Sequence, residues 1–162
     1  MNLAPLKRVQ KIVIEVLRNC FALDKKVDVA YGLTAISEKA NETWGEMTPF
    51  WYYQADDLTD WKDLIKNNHP HCMPVWKKDL HDRYGLFNEG YKTAADSDMW
   101  IRAAKGGAKF KFVRQPVGVY FRNPEGMSSK PENMKIMLDE VNKMRKEHDP
   151  SYVPRPIPKI LA

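Results

Sequence analysis

The chain has little cysteine, no long apolar run and no block of like charge, and each shortage narrows what it can be. Cys20 and Cys72 are the only cysteines among 162 residues. They lie far apart and outside any Cys-x-x-Cys spacing, which fits reduced thiols in a cytosolic protein better than a disulfide scaffold or a zinc site. Lys7, Arg8 and Lys11 interrupt the apolar positions near the start, so no signal-peptide core forms there. No stretch approaches a membrane span. A soluble, cytoplasmic protein is expected. Lys and Arg outnumber Asp and Glu by 26 to 21, a net charge of +5. That excess is spread along the chain rather than gathered into an arm, which disfavours nucleic acid as a partner. No internal repeat is present.

What the chain does have is 43% hydrophobic residues and 11% aromatics, enough for one sizeable core and a single domain. Pro5 suits a first helical turn, and Leu6, Val9, Val13, Val16 and Cys20 recur at three- and four-residue steps, predicting an amphipathic helix to about Asn19. Val27-Asp28-Val29-Ala30-Tyr31 alternates as a strand does, stopping before Gly32, and Phe50-Trp51-Tyr52-Tyr53 is a second strand-like run. The polar residues 37–45 between them read as a loop. Asp56 or Asp57 is placed to cap a helix carrying Leu58, Trp61, Leu64 and Ile65.

Cys72-Met73-Pro74-Val75-Trp76 reads as a short strand near an edge, because proline cannot donate to a central ladder. Residues 77–84 form a short helix stopped by Gly85, and residues 86–92 a loop. A helix beginning at Asp96 precedes strands at about 109–113 and 117–122. In the last helix, residues 132–146, Met134, Met137, Leu138, Val141 and Met144 share one face. Pro150, Pro154, Pro156 and Pro158 then favour an extended tail. The expectation is an α/β layered domain over residues 1–147 with a proline-rich tail over 148–162.

The most informative segment is Ala94-Ala95-Asp96-Ser97-Asp98-Met99-Trp100-Ile101-Arg102, ending at Gly106. It puts two carboxylates at the mouth of a helix. By spacing alone, Asp96 is an N-cap and Asp98 with Arg102 a surface pair four residues apart. A general base for a hydroxyl is the alternative, since a carboxylate there can take the proton as the oxygen attacks. Trp76 and Trp100 serve equally as core residues or as faces for a sugar ring. His69-Pro70-His71-Cys72 is an incomplete metal set.

This segment follows His71-Cys72-Met73-Pro74-Val75-Trp76 and Tyr84-Gly85-Leu86-Phe87-Asn88-Glu89. It precedes Phe110-Lys111-Phe112-Val113 and Arg122-Asn123-Pro124-Glu125-Gly126-Met127-Ser128. In that order the parts resemble the acceptor-side half of family 2 glycosyltransferases of the GT-A fold, across residues 1 to 128. The resemblance implies an α/β, partial GT-A sheet with flanking helices and without the amino-terminal nucleotide-binding half. It implies an inverting, hexosyltransferase-type transfer from a nucleotide-sugar donor to a glycan or other hydroxyl acceptor, met at a membrane surface or through a partner where that acceptor is membrane-linked.

Asp96 matches the family's base, although Ala95 stands where a glutamate is usual. The resemblance places His71, Trp76 and Trp100 at the acceptor, Asp98 and Arg102 at the helix mouth, and Arg122 near the leaving diphosphate. A divalent cation, Mg or Mn, is expected for the complete family domain. Its Asp-x-Asp would fall just upstream of Met1, for Asp56-Asp57 has the wrong spacing, and the late loop offers no histidine ligand. The fragment is then inactive alone, or completed by a chain supplying the missing half. The other function held open is a non-catalytic carbohydrate-binding or assembly module.

Overall fold

The computed structural model describes residues 4–42, 51–52, 55–127 and 129–154. Helix α1 (Ala4–Leu23) leads into β1 (Val27–Ser37), followed by β2 (Trp51–Tyr52), α2 (Lys62–Lys66), β3 (Val75–Trp76), α3 (Leu80–Tyr84), α4 (Ala95–Lys105), β4 (Lys109–Phe121) and α5 (Pro131–His148). The protein is α/β, with a small mixed sheet and flanking helices. Strand β1 is its axis. β4 runs parallel to it along one side, while β3 and β2 share the other side, antiparallel, opposite Val29 and Ala30 and opposite Ala35 and Ile36 respectively.

Consecutive strand residues point to opposite faces, and Val29 and Ala30 accordingly enter two different cores. Val29 joins Leu64, Leu80, Met99, Trp100 and Ile101 of α2, α3 and α4. Ala30 joins Leu17 of α1 and Val117 of β4. Helices on both sides explain why β1 is buried almost throughout and shows little polar alternation.

Two strand boundaries differ from expectation for one shared reason. Residues 109–113 and 117–122 were expected as two strands, yet β4 is continuous to Phe121. Its register slips where Gly32 pairs with Val113, Leu33 with Pro116 and Thr34 with Gly118. Pro116, which has no N–H to give, falls in this irregular stretch. Gly32, expected just beyond the end of β1, lies inside it. A Cβ there would come within 2.6 Å of Val117 Cγ1 and 2.8 Å of the Gln115 carbonyl oxygen. The missing side chain lets the bulged strand approach.

Helix ends show the same influence of distant partners. α2 is not capped by Asp56 or Asp57. The Asp63 carboxylate instead accepts from the Thr59 and Asp60 amides at 3.0 and 3.2 Å. Gly85 closes α3 with φ +83°, as expected of a helix stop. Gly106 closes α4 for a different reason, because a Cβ on it would stand 2.1 Å from Cε1 of the Tyr84 ring.

On α5, Met144 is fully buried, whereas Met134, Met137, Leu138 and Val141 are half-buried. The body continues beyond residue 147. Tyr152 packs against the larger core, donates to Asn142 Oδ1 at 3.0 Å and accepts from Arg145 at 3.3 Å. Pro156 and Pro158 lie outside the described residues. Among the described residues no helix is long and apolar enough to cross a membrane.

Candidate functional site

Helix α4 begins two residues earlier than a cap at Asp96 requires. Ala94 is the cap, and Asp96 occupies the second helical position. There its carboxylate still meets the positive end of the helix. Oδ1 accepts from the Ser97 amide at 2.8 Å and Oδ2 from the Asn68 side-chain amide at 2.8 Å. The group is half-buried.

His71 stands beside it. Its backbone takes φ +43°, the left-handed region that side chains with a Cβ seldom enter. The ring meets Tyr120 edge-on at 5.9 Å, and Nδ1 contacts the Cys72 sulfur. Burial pushes the imidazole below its ordinary range, and the nearby Asp96 charge works against that shift. Burial likewise pushes the Cys72 thiol up to about 12, although a hydrogen bond with Thr34 opposes it. A thiol so shifted stays protonated at neutral pH, which makes it a poor nucleophile. Asp96, Asn68, His71, Cys72, Thr34 and Tyr120 thus form one cluster, drawn from α4, the segment before β3, and the far ends of β1 and β4.

Asp98 belongs elsewhere. It is only 4% exposed, with Oδ2 taking Arg102 Nε at 2.9 Å and Oδ1 taking His148 Nε2 at 2.8 Å. Burial alone would raise this carboxyl. Hydrogen bonds and charge from His148 and Arg102 outweigh burial and hold it below the ordinary carboxylate value. Arg102 is equally committed, donating to the carbonyls of Tyr84 and Leu86, the latter at 2.7 Å. Both residues, expected at the helix mouth, have protein partners here. Asp98 and Arg102 brace α4 against α5 and the loop after α3, with their polar atoms turned to protein.

Of the two tryptophans only Trp100 is fully enclosed. Trp100 is 1% exposed, packed edge-on against Trp76 at 5.3 Å, Phe87 at 6.3 Å and Phe110 at 6.5 Å. No ring face is left for a sugar. Its Nε1 has no hydrogen-bond partner among the described residues. Trp76 is half-buried, donates to His81 Nε2 at 3.0 Å and joins the same aromatic group. Arg122 follows the end of β4. Its amide donates to the Ser37 carbonyl at 2.8 Å, and its half-exposed guanidinium lies 3.6 Å from Glu38. Such an exposed pair holds the side chain weakly.

Spacing gave no sign of Asn68, Tyr120 or Glu140. Glu140 of α5 reaches across to the chain entering α4, where it accepts from the amides of Lys92, Thr93 and Ala94 at 2.7, 2.5 and 3.0 Å, and from the Thr93 hydroxyl at 2.5 Å. A Thr93 hydroxyl at the helix entrance is the one local hint, but its acceptor is 47 residues away.

The divalent cation finds no fit. Among the described residues no three His, Cys, Asp or Glu side chains gather as a metal set. The Asp56 and Asp57 carboxylates face Arg114 at 3.2 and 3.0 Å, and His69 Nδ1 accepts the Asp56 amide at 3.1 Å. Compared with models of known protein families and with curated proteins, the chain matches none of them.

Proposed function

We propose that this chain is the acceptor-side part of an inverting, family 2-like glycosyltransferase, and that Asp96 is its general base. The observation that carries the reading is the placing of the Asp96 carboxylate. It is held at the mouth of α4 by Asn68, stands next to a half-buried histidine and is in no ion pair among the described residues. Asp98, two positions on, is fully engaged.

In the proposed reaction an acceptor hydroxyl gives its proton to Asp96 as its oxygen bonds to the anomeric carbon. The bond from that carbon to the donor oxygen breaks on the opposite side, and the nucleoside diphosphate leaves with the electron pair. His71 lines the acceptor side. Arg122 can exchange its exposed Glu38 contact for the diphosphate, where a guanidinium fork matches phosphate oxygens. The described residues supply no cation set, so no step here runs through a metal.

A panel of labelled nucleotide sugars and glycoside acceptors, with and without Mn²⁺, tests this reading. Turnover that falls about 100-fold or more in Asp96→Asn supports the base assignment, and turnover that survives the substitution overturns it. Saturable glycan binding without turnover favours the second reading, a carbohydrate-binding module. The exposed Leu86 and the part-exposed Phe87 against Trp76 suit that reading, offering apolar surface to the C–H face of a sugar.

A further inference from the structure

We infer that Glu140 is the positioning residue for Asp96, setting from α5 the direction in which the start of α4 points. The inference rests on reading Asp96 as the reacting carboxylate. An α-helix leaves its first N–H groups without partners, and these are ordinarily met by a side chain close in sequence. Here the cap residue is Ala94, which has no side-chain acceptor, and no cap hydrogen bond forms locally.

Glu140 instead grips the chain that enters the helix, taking the amide of the cap residue Ala94 and those of the two residues before it. Its Oε1 accepts the Lys92 amide, and its Oε2 accepts the amides of Thr93 and Ala94 and the Thr93 hydroxyl. Four donors converge on one carboxylate and fix the three residues before the helix. Asp96 follows two residues after the last of them. A rigid entry fixes where the second helical residue begins, and so where its side chain aims.

Two further contacts from α5 support the same grip. The Tyr91 hydroxyl bonds Glu147 just upstream of the entry, and His148 holds Asp98 in the first turn of the helix. Glu140 is itself half-buried. Burial opposes its ionised form, but these hydrogen bonds prevail and keep its carboxyl below the ordinary range. The negative charge is thus available to all four donors. The consequence is a separation of tasks: α4 carries the reacting group, while a helix distant in sequence fixes its bearing.

The test reads the placement of Asp96 without requiring sugar transfer. The side-chain amide of Asn68 donates to Asp96 Oδ2 at 2.8 Å, so its NMR signal reports where that carboxylate points. The His71 titration midpoint reports the same charge independently. Glu140→Ala is expected to shift the Asn68 amide signal and lower the His71 midpoint, because the carboxylate favouring the charged imidazole is no longer held beside it. Glu140→Gln, which keeps a carbonyl acceptor, is expected to return both signals part of the way.

Asp28→Asn is the control. It breaks a buried carboxylate bound to Arg83 at the opposite end of β1, and it is expected to destabilise the protein while leaving both signals in place. Unmoved signals in folded Glu140→Ala overturn the inference, and so do equal shifts in Asp28→Asn. Should Glu140→Ala fail to fold, Glu140→Gln decides, with unshifted signals overturning the inference. The turnover assay tests the base assignment separately, so either idea can fail without the other.

Discussion

Two carboxylates on one helix, Asp96 and Asp98, have opposite surroundings. Asp96 stands half-buried at the mouth of α4, oriented by one side-chain amide. Asp98 is sealed inside, with both oxygens taken by Arg102 and His148. Helical geometry explains the contrast, because residues two apart are turned by about 200°. If one of them faces the core, the other faces away. An Asp-x-Asp spelling on a helix therefore does not build one acidic site. It gives one group that holds structure and one that is available for chemistry.

The contrast breaks most sharply at Asp98. Asp98→Ala strips the carboxylate partner from two half-buried side chains, Arg102 and His148, and is expected to cost about 3 kcal/mol in denaturant unfolding. Asp96→Asn, which keeps the shape of the group, is expected to stay within about 1 kcal/mol of the parent. A comparable loss in both variants would remove the distinction. Next in size is Glu140→Ala, expected to cost about 1–3 kcal/mol because it leaves amides at the helix entrance without an acceptor.

Acid sharpens the comparison further. The folded-state value of Asp98 lies below its unfolded value, so the stability it contributes is present above the unfolded value and drains away as pH falls through the folded one. Parent protein is expected to lose stability below about pH 4 more steeply than Asp98→Asn, in which that component is absent. Parallel acid-unfolding curves would contradict this. The smallest effect concerns His71. Its imidazole should titrate below the ordinary histidine value, and lower still in Asp96→Asn, as followed by NMR.

Features set by near neighbours were legible in the sequence. The edge position of a strand after Pro74, the stop at Gly85 and the helix beginning near Asp96 all follow from local pattern, whereas the buried residue of α1 is Leu17, one position beyond the Val16 of the expected face. Features set by distant partners were not. Gly32 looks like a strand terminator until Val117 is seen packed over it. Tyr152 looks like part of a loose tail, although it reaches back to Asn142 and Arg145. Four-residue spacing pairs Asp98 with Arg102 correctly, but the depth of that pair depends on His148, 50 residues on. Within the candidate site, Asp96 and His71 were both visible as chemistry-bearing residues. Asn68 and Glu140, which orient Asp96 and its helix, act across 28 and at least 46 residues, beyond the reach of any local period.

The most direct measurement is a titration of the folded chain with a panel of glycosides while the Asn68 side-chain amide and the His71 ring are followed by NMR. The account predicts saturable shifts of both signals with at least one sugar hydroxyl acceptor, lost in Asp96→Asn. Signals that stay fixed across the whole panel would contradict it.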